Sequence, residues 1–442
     1  MIIRLSTFGF INFLPILTTQ WSTIVLPQIL VNNLGISDPS HTSLIAGYFY
    51  ISFFYGRLLG TFVWPLMVKV VNKKICILLS IIVMGLMNAL SGIGMKIFVI
   101  CFCRFIAGIA LNIHTVGKDF LFEFCDENYR QIGLSIDSAF GLMGNLLGPY
   151  IGFYLYNKFD HSFDQTVLFI AFLFFIGFVL FFHVFFITYT PPLNVSHTDE
   201  EMQKMLGEHN EKIESTGIKG TILSFFKNSS IRSLILVYGL GMACTNSDLV
   251  ISVLYLQMDW KDYGLGISSR ALSHLSMFCY IPALFLLFLS NKMVPRYISY
   301  MNYIRSVFTI FALAVFLTPL LRDILPKENH SRYNFIIYIV QGLKYCFNTH
   351  MSAPFIHYLI NKRAKREART IVNSLNFITA TIMICVVMNI ITPLLSISMY
   401  KQFFKEREPY SKDLTFFMIT ALMLFSVFLL TYSQRKAEIK KQ

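Results

Sequence analysis

Long apolar runs and short polar breaks alternate along this chain from end to end. The runs fall at roughly 8–30, 43–67, 75–95, 97–117, 132–156 and 165–188, and resume at roughly 232–256, 268–290, 298–320, 334–360, 371–398 and 412–433. Each has the roughly 20 residues that a helix needs to cross a bilayer. Barrel strands would be about half as long and would alternate in polarity, whereas these runs are uninterrupted. A backbone in lipid must satisfy its own hydrogen bonds, so the runs are read as helices. The predicted fold class is an all-α polytopic membrane protein with 12 transmembrane helices in two six-helix bundles.

The division comes from one polar stretch, Thr190 to Asn228. It opens with Pro191-Pro192, which stops a helix. Thr198 and Glu201 then form a capping box, which predicts a short charged surface helix through about Ile213. The expected organisation is an N-terminal bundle over 1–189, a linker over 190–230, a C-terminal bundle over 231–433 and a tail over 434–442. Prolines inside the runs, at Pro15, Pro149, Pro282, Pro354 and Pro393, predict kinks whose freed backbone groups neighbouring helices satisfy.

Composition narrows the function. Of 442 residues, 55% are hydrophobic and 14% charged, roughly half the charged share of soluble chains. That excludes a soluble enzyme, a nucleic-acid-binding domain and a disordered chain. No stretch is long and polar enough for an ectodomain. The net charge of +13 then reads as loop charge that sets orientation. With both termini inside, about 22 of the 37 Lys and Arg fall on inner segments and about 10 on outer ones. Both termini and the linker are therefore expected in the cytoplasm. The eight cysteines lie in or beside apolar runs without CxxC spacing, and predict neither a disulfide framework nor a zinc site. The first run is too long for a cleavable leader and lacks a small-residue cleavage site.

Three local patterns sharpen this. In the fourth run, Arg104-Phe105-Ile106-Ala107-Gly108 puts an arginine four residues before a glycine. In the fifth, Gly144 to Gly152 reads GxxxGPxxG, with Gly148 and Pro149 inside it. Between the second and third, Gly56-Arg57 leads to Trp64 and then Lys73-Lys74. With the six-plus-six duplication, these residues resemble the major facilitator superfamily. The stretch Gly56–Gly152 resembles its proton-antiporter-like branch, near the zinc-induced-facilitator-like and tetracycline-resistance-like members. The rest of the chain matches in topology only.

The resemblance implies that spans one, four, seven and ten line a central cavity and that Arg104 takes part in proton coupling. It also implies a charged latch in the loop after span two, and here the sequence departs. Lys69 stands at the expected aspartate, Val70 at the arginine and Asn72 at the glycine. The first run carries no acid, which weakens an expectation of multidrug export.

An ionisable side chain at mid-helix costs about 2.5–3.5 kcal/mol on insertion scales, so each one asks for an account. Arg104 is read as functional, the alternative being a guanidinium snorkelling to a headgroup. Asp248, in Thr245-Asn246-Ser247-Asp248, is either a proton site, since desolvation favours its neutral form, or an outer-end residue facing water. Asp137 reads as half of a structural charge pair. Spans four and ten share Asn-x-His, as Asn112-Ile113-His114 and Asn348-Thr349-His350. Across a cavity these histidines suit proton shuttling, hydrogen bonding to an organic ligand, or metal binding. No third ligand stands out, so no metal is assigned. Gln20 and Trp21 complete a polar and aromatic wall, unless Trp21 only packs between helices. Lys344 either attracts an anionic solute or snorkels. Gly141, Gly144 and Gly148 are expected to let the two bundles approach closely.

The leading reading is a secondary active transporter of a small solute working by alternating access, with proton coupling as a weaker expectation. Its rival is a transporter-like sensor or assembly partner that moves no solute, motivated by the altered loop at Lys69–Lys74. Enzyme motifs such as HExxH and GxSxG do not occur in the sequence. No cofactor and no nucleic acid are expected. The partners are the bilayer, a small solute and protons, and the chain is read as a monomer. The plasma membrane and vacuolar or other endomembranes fit equally.

Overall fold

The computed structural model describes residues 2–36, 39–93, 96–111, 116–117, 120–121, 127–187, 229–258, 264–324, 330–363, 369–399 and 410–439. Among them there is no strand. The helices of the first half are α1 (Ile2–Gln20), α2 (Ser22–Asn32), α3 (Pro39–Val70), α4 (Lys73–Ile93), α5 (Ile97–Ala110), α6 (Glu127–Lys158) and α7 (Phe163–Phe182), the last ending in a π-helical turn, His183–Ile187. Those of the second half are α8 (Ser229–Gln257), α9 (Ser269–Tyr297), α10 (Tyr300–Ile324), α11 (His330–Cys346), α12 (Thr349–Arg363), α13 (Arg369–Met399) and α14 (Tyr410–Ile439). Among the described residues, eight helices are long and apolar enough to cross a membrane, or nine if α1 and α2 count as one bent span. The predicted linker helix, Asn112 and His114 lie outside the described residues.

Two apolar runs that read as single helices are broken. The first bends by 49° between α1 and α2. Pro27 lies inside α2; it has no N–H for the carbonyl four residues back, and its ring crowds that carbonyl. The tenth breaks at Phe347-Asn348, between α11 and α12. The first N–H groups of α12 would then be orphaned. Asn348 Oδ1 accepts from the His350 N–H at 3.0 Å, and Thr245 Oγ1 of α8 accepts from the Thr349 N–H at 3.3 Å. The break is therefore capped partly by the neighbouring helix.

Lipid offers no hydrophobic drive between helices, so close packing through small residues has to hold them. The α3–α5 crossing is built this way. A Cβ at Gly56 would lie 1.8 Å from the Phe105 carbonyl oxygen, and one at Gly108 would lie 2.1 Å from that of Phe53. Trp64 Nε1 adds a hydrogen bond of 2.6 Å to the Ile109 carbonyl. The fifth-run glycines do the same for α6 against α1 and α2. A Cβ at Gly144 would meet Ile16, one at Gly148 would meet Gln20, and one at Gly152 would sit 2.0 Å from the Trp21 carbonyl oxygen. Gly141 also faces Ile16. These glycines thus close up the first half and do not join the two halves, correcting the expectation above. Glycine spacing encodes a close approach but not the partner.

Most helix contacts stay within one half. The halves meet chiefly along α3 with α13 and α6 with α9. Tyr55 OH accepts from Asn389 Nδ2 at 2.6 Å along the first seam, and Tyr150 packs on His274 along the second. Helix α2 also reaches across. Gln257 Nε2 donates to the Ile24 carbonyl at 2.8 Å, and Gln28 Nε2 donates to Ser269 Oγ at 3.1 Å. Large apolar side chains such as Phe172, Phe175, Phe278, Phe285 and Phe428 are exposed on the outside, as a lipid-facing surface requires. Helix α14 runs through Gln434, which accepts from Arg305 Nη2 at 2.6 Å, so the helix continues past the predicted start of the tail.

Candidate functional site

A polar cavity of about 40 Å³ lies where the halves meet. The first half contributes Gln20 at the end of α1 and Asn145 from α6. The second contributes Thr245, Asn246, Asp248 and Ser252 from α8, Phe311 from α10, Gln341, Lys344 and Tyr345 from α11, and Asn348 and His350 at the α11–α12 break. Side-chain amides recur around this lining. Gln341 is 2% exposed and its Nε2 has no hydrogen-bond partner. The space suits a few water molecules.

An ion pair sits in the wall. Lys344 Nζ lies 2.7 Å from Asp248 Oδ1, with both side chains buried. Ser252 Oγ bridges them, donating to Asp248 Oδ1 at 2.9 Å and accepting from Lys344 Nζ at 2.5 Å. Thr318 Oγ1 accepts a further, longer bond of 3.3 Å from the ammonium. Ser252 follows Asp248 by one helical turn, so α8 presents both to α11. Charge is therefore balanced within the pair, and the remaining donors are nearly all satisfied.

A second interior cation is arranged differently. Arg104 of α5 is 8% exposed. Its Cζ lies 3.8 Å from the centroid of the Phe49 ring, 5.7 Å from that of Phe53 and 5.9 Å from that of Tyr50. Its Nε has no hydrogen-bond partner, and the described residues place no carboxylate within ion-pair distance. It borders a separate cavity of about 20 Å³, lined also by Thr18, Trp21, Asn88 and Ser91.

The family model for the Major Facilitator Superfamily matches residues 8–388. The chain belongs to the major facilitator superfamily. Among curated relatives, a probable peptide/nitrate transporter of Arabidopsis thaliana is 28% identical over 134 residues, covering 30% of this chain and 28% of the relative. The zinc-induced facilitator protein of the same plant is 26% identical over 145 residues, covering 32% and 30%. The matches thus span less than a third of these relatives' lengths. The crystal structure of a D-xylose–proton symporter superposes with TM-score 0.70 at 12% identity, covering 96% of each chain. That of the POT family transporter PepTSo gives 0.68 at 10% identity, covering 99% and 98%. The superfamily fold therefore extends over nearly the whole length of the chain.

Against that superfamily frame, the sequence-predicted residues separate into groups. Asp248, Gln20, Asn348 and His350 come together at the central cavity. Arg104 and Trp21 do not; they share the second cavity, where Trp21 is 2% exposed and packs on Phe163 at 5.9 Å. Asp248 is no water-facing end residue and Lys344 does not snorkel, because each neutralises the other inside. Asp137 is buried and accepts a hydrogen bond from Asn12 Nδ2. Arg57 is buried in α3. Lys73 and Lys74 open α4, and Lys74 Nζ donates to the Phe185 carbonyl at 3.1 Å. Pro149 is inside α6. Sequence reasoning missed Ser252, Thr318, Gln341 and Asn145. One signal was available for the ion pair: two opposite charges in apolar runs cannot each afford to stand alone.

Proposed function

We propose that the chain is a secondary active transporter that moves a small solute by alternating access. Twelve membrane-crossing segments in two six-helix bundles, over 1–189 and 231–433, complete this reading. Both termini and the 190–230 linker would lie on the cytoplasmic side, as the Lys and Arg distribution supports. The observation that carries the reading is the buried Asp248–Lys344 pair in the wall of a cavity built by both halves. A buried pair is weak evidence for stability, since desolvation offsets its attraction. Its position at a cavity speaks for handling a solute or an ion. The present space has room for only a few water molecules, so a solute enters only when the halves part on one side. Helices broken beside the cavity fit the same mode of action.

The pair also gives a route to proton coupling. A solute anion that takes Lys344 leaves Asp248 without its counter-charge. A proton would then supply the counter-charge that the buried carboxylate has lost. Lys344 faces Asp248 from α11, while Tyr345 and His350 share the cavity. Solute and proton would travel together. The plasma membrane or a vacuolar or other endomembrane is the proposed location, with the chain as a monomer.

The test uses the purified chain in proteoliposomes under an imposed pH gradient. Internal pH is followed while amino acids, organic anions, sugars, metal chelates and lipophilic cations are added. A solute-dependent proton flux that disappears in Asp248→Asn supports the coupled reading. Solute uptake without proton movement keeps the transporter and removes the coupling. Silence from folded protein across the panel favours a sensor or assembly partner.

A further inference from the structure

Arg104 is a cation that the central cavity does not explain. An uncompensated charge in a protein interior costs several kcal/mol even after relaxation. The aromatic rings of Phe49, Phe53 and Tyr50 soften that cost, but they carry no charge to cancel it. An arginine can also bias a neighbouring acid, but the described residues place no carboxylate within ion-pair distance of it. What the guanidinium does have is space. Phe49 covers one face of it at 3.8 Å, which leaves the N–H edges for acceptors lying in the guanidinium plane. Arg104 lines the second cavity, and its Nε is unpartnered. Asn88, on the same wall, gives one amide N–H to the Met84 carbonyl at 2.8 Å. Its second N–H remains for a ligand.

We propose that this second cavity binds a compact monovalent anion, a free inorganic ion or the acid group of a carried solute, on Arg104 with help from Asn88. One negative charge neutralises the site, and a cavity of about 20 Å³ admits only a small head. The site is distinct from the Asp248–Lys344 wall, yet it adjoins it. Gln20 lines the central cavity while Thr18 and Trp21 line the second, so the bend between α1 and α2 is the partition. The inference goes beyond the transport reading and stands without it, because binding at equilibrium needs no turnover.

Trp21 lines the site and serves as an optical reporter. The full chain, in detergent with sulfate as the only counter-ion, is titrated with nitrate, bromide, acetate and butyrate while tryptophan emission is followed. The parent should give a saturable change. Arg104→Gln should raise the half-saturating concentration at least tenfold. Lys344→Gln should still saturate, which separates this site from the central one. Saturation by nitrate and bromide alone assigns a free inorganic ion; saturation by acetate and butyrate alone assigns the acid group of a solute. If Arg104→Gln does not fold, Arg104→Lys decides, because exchanging a planar fork for a point charge should weaken binding at least threefold. A parent that never saturates, or an Arg104 variant that titrates like the parent, overturns the proposal.

Discussion

Each half sets a buried cation beside one of the two cavities, and they treat it in opposite ways. Lys344 in the second half meets a carboxylate at 2.7 Å and two hydroxyls. Arg104 in the first half meets aromatic rings and lines a cavity. One site is internally neutral and can open only by exchanging one partner for another. The other is charged and takes its partner from outside. Burial alone therefore does not say what a membrane-embedded cation does; the presence or absence of a counter-charge does.

The largest effect should follow from unbalancing the neutral site. Asp248→Asn leaves Lys344 buried and uncompensated, and should cost about 3–5 kcal/mol of stability, read as a drop in the unfolding temperature in detergent. The double variant Asp248→Asn with Lys344→Gln should recover much of that loss. Equal stability of the single and double variants would break the claim that the pair is self-balanced. Next comes the scaffold that separates the two sites. Gly152→Val pushes a side chain into the Trp21 carbonyl and should cost about 1–3 kcal/mol by overpacking.

The charged site should behave with the reverse sign. Arg104→Leu removes a buried charge, and with sulfate as the only anion in the buffer should raise stability by about 1–2 kcal/mol, the lost cation–π contact offsetting part of the gain. A clear loss of stability would sink the comparison. The smallest effect is expected at Ser252. Ser252→Ala keeps the pair but removes its bridge, for about 0.5–1.5 kcal/mol.

The apolar runs told their own fold because a bilayer imposes one length and one backbone solution on every crossing. The breaks inside the first and tenth runs were hidden for the same reason. Trp21 sits in the polar stretch Thr18–Thr23 and Phe347 precedes Asn348-Thr349-His350, but each stretch is too short to end a run, and hydropathy registers transfer to lipid without registering backbone continuity. Asp248 and Lys344 were each visible as costly residues, but their pairing depends on which faces of α8 and α11 converge. That is a property of helix packing, and no local pattern carries it. Arg104 stood out through its motif, whereas its separation from the central cavity follows from the bend at Trp21. Gly144, Gly148 and Gly152 announced a tight contact whose partner only the assembled helices reveal.

The contact between Gly152 and the Trp21 carbonyl has a mechanical meaning. With no side chain between them, α2 and α6 have no slack and must travel as one lever. On its other side, α2 is held to the second half by bonds of another kind, Gln257 to the Ile24 carbonyl and Gln28 to Ser269. Water can replace such bonds at about 0.5–1.5 kcal/mol each. When the halves part at that end, the lever stays rigid and the polar catch lets go.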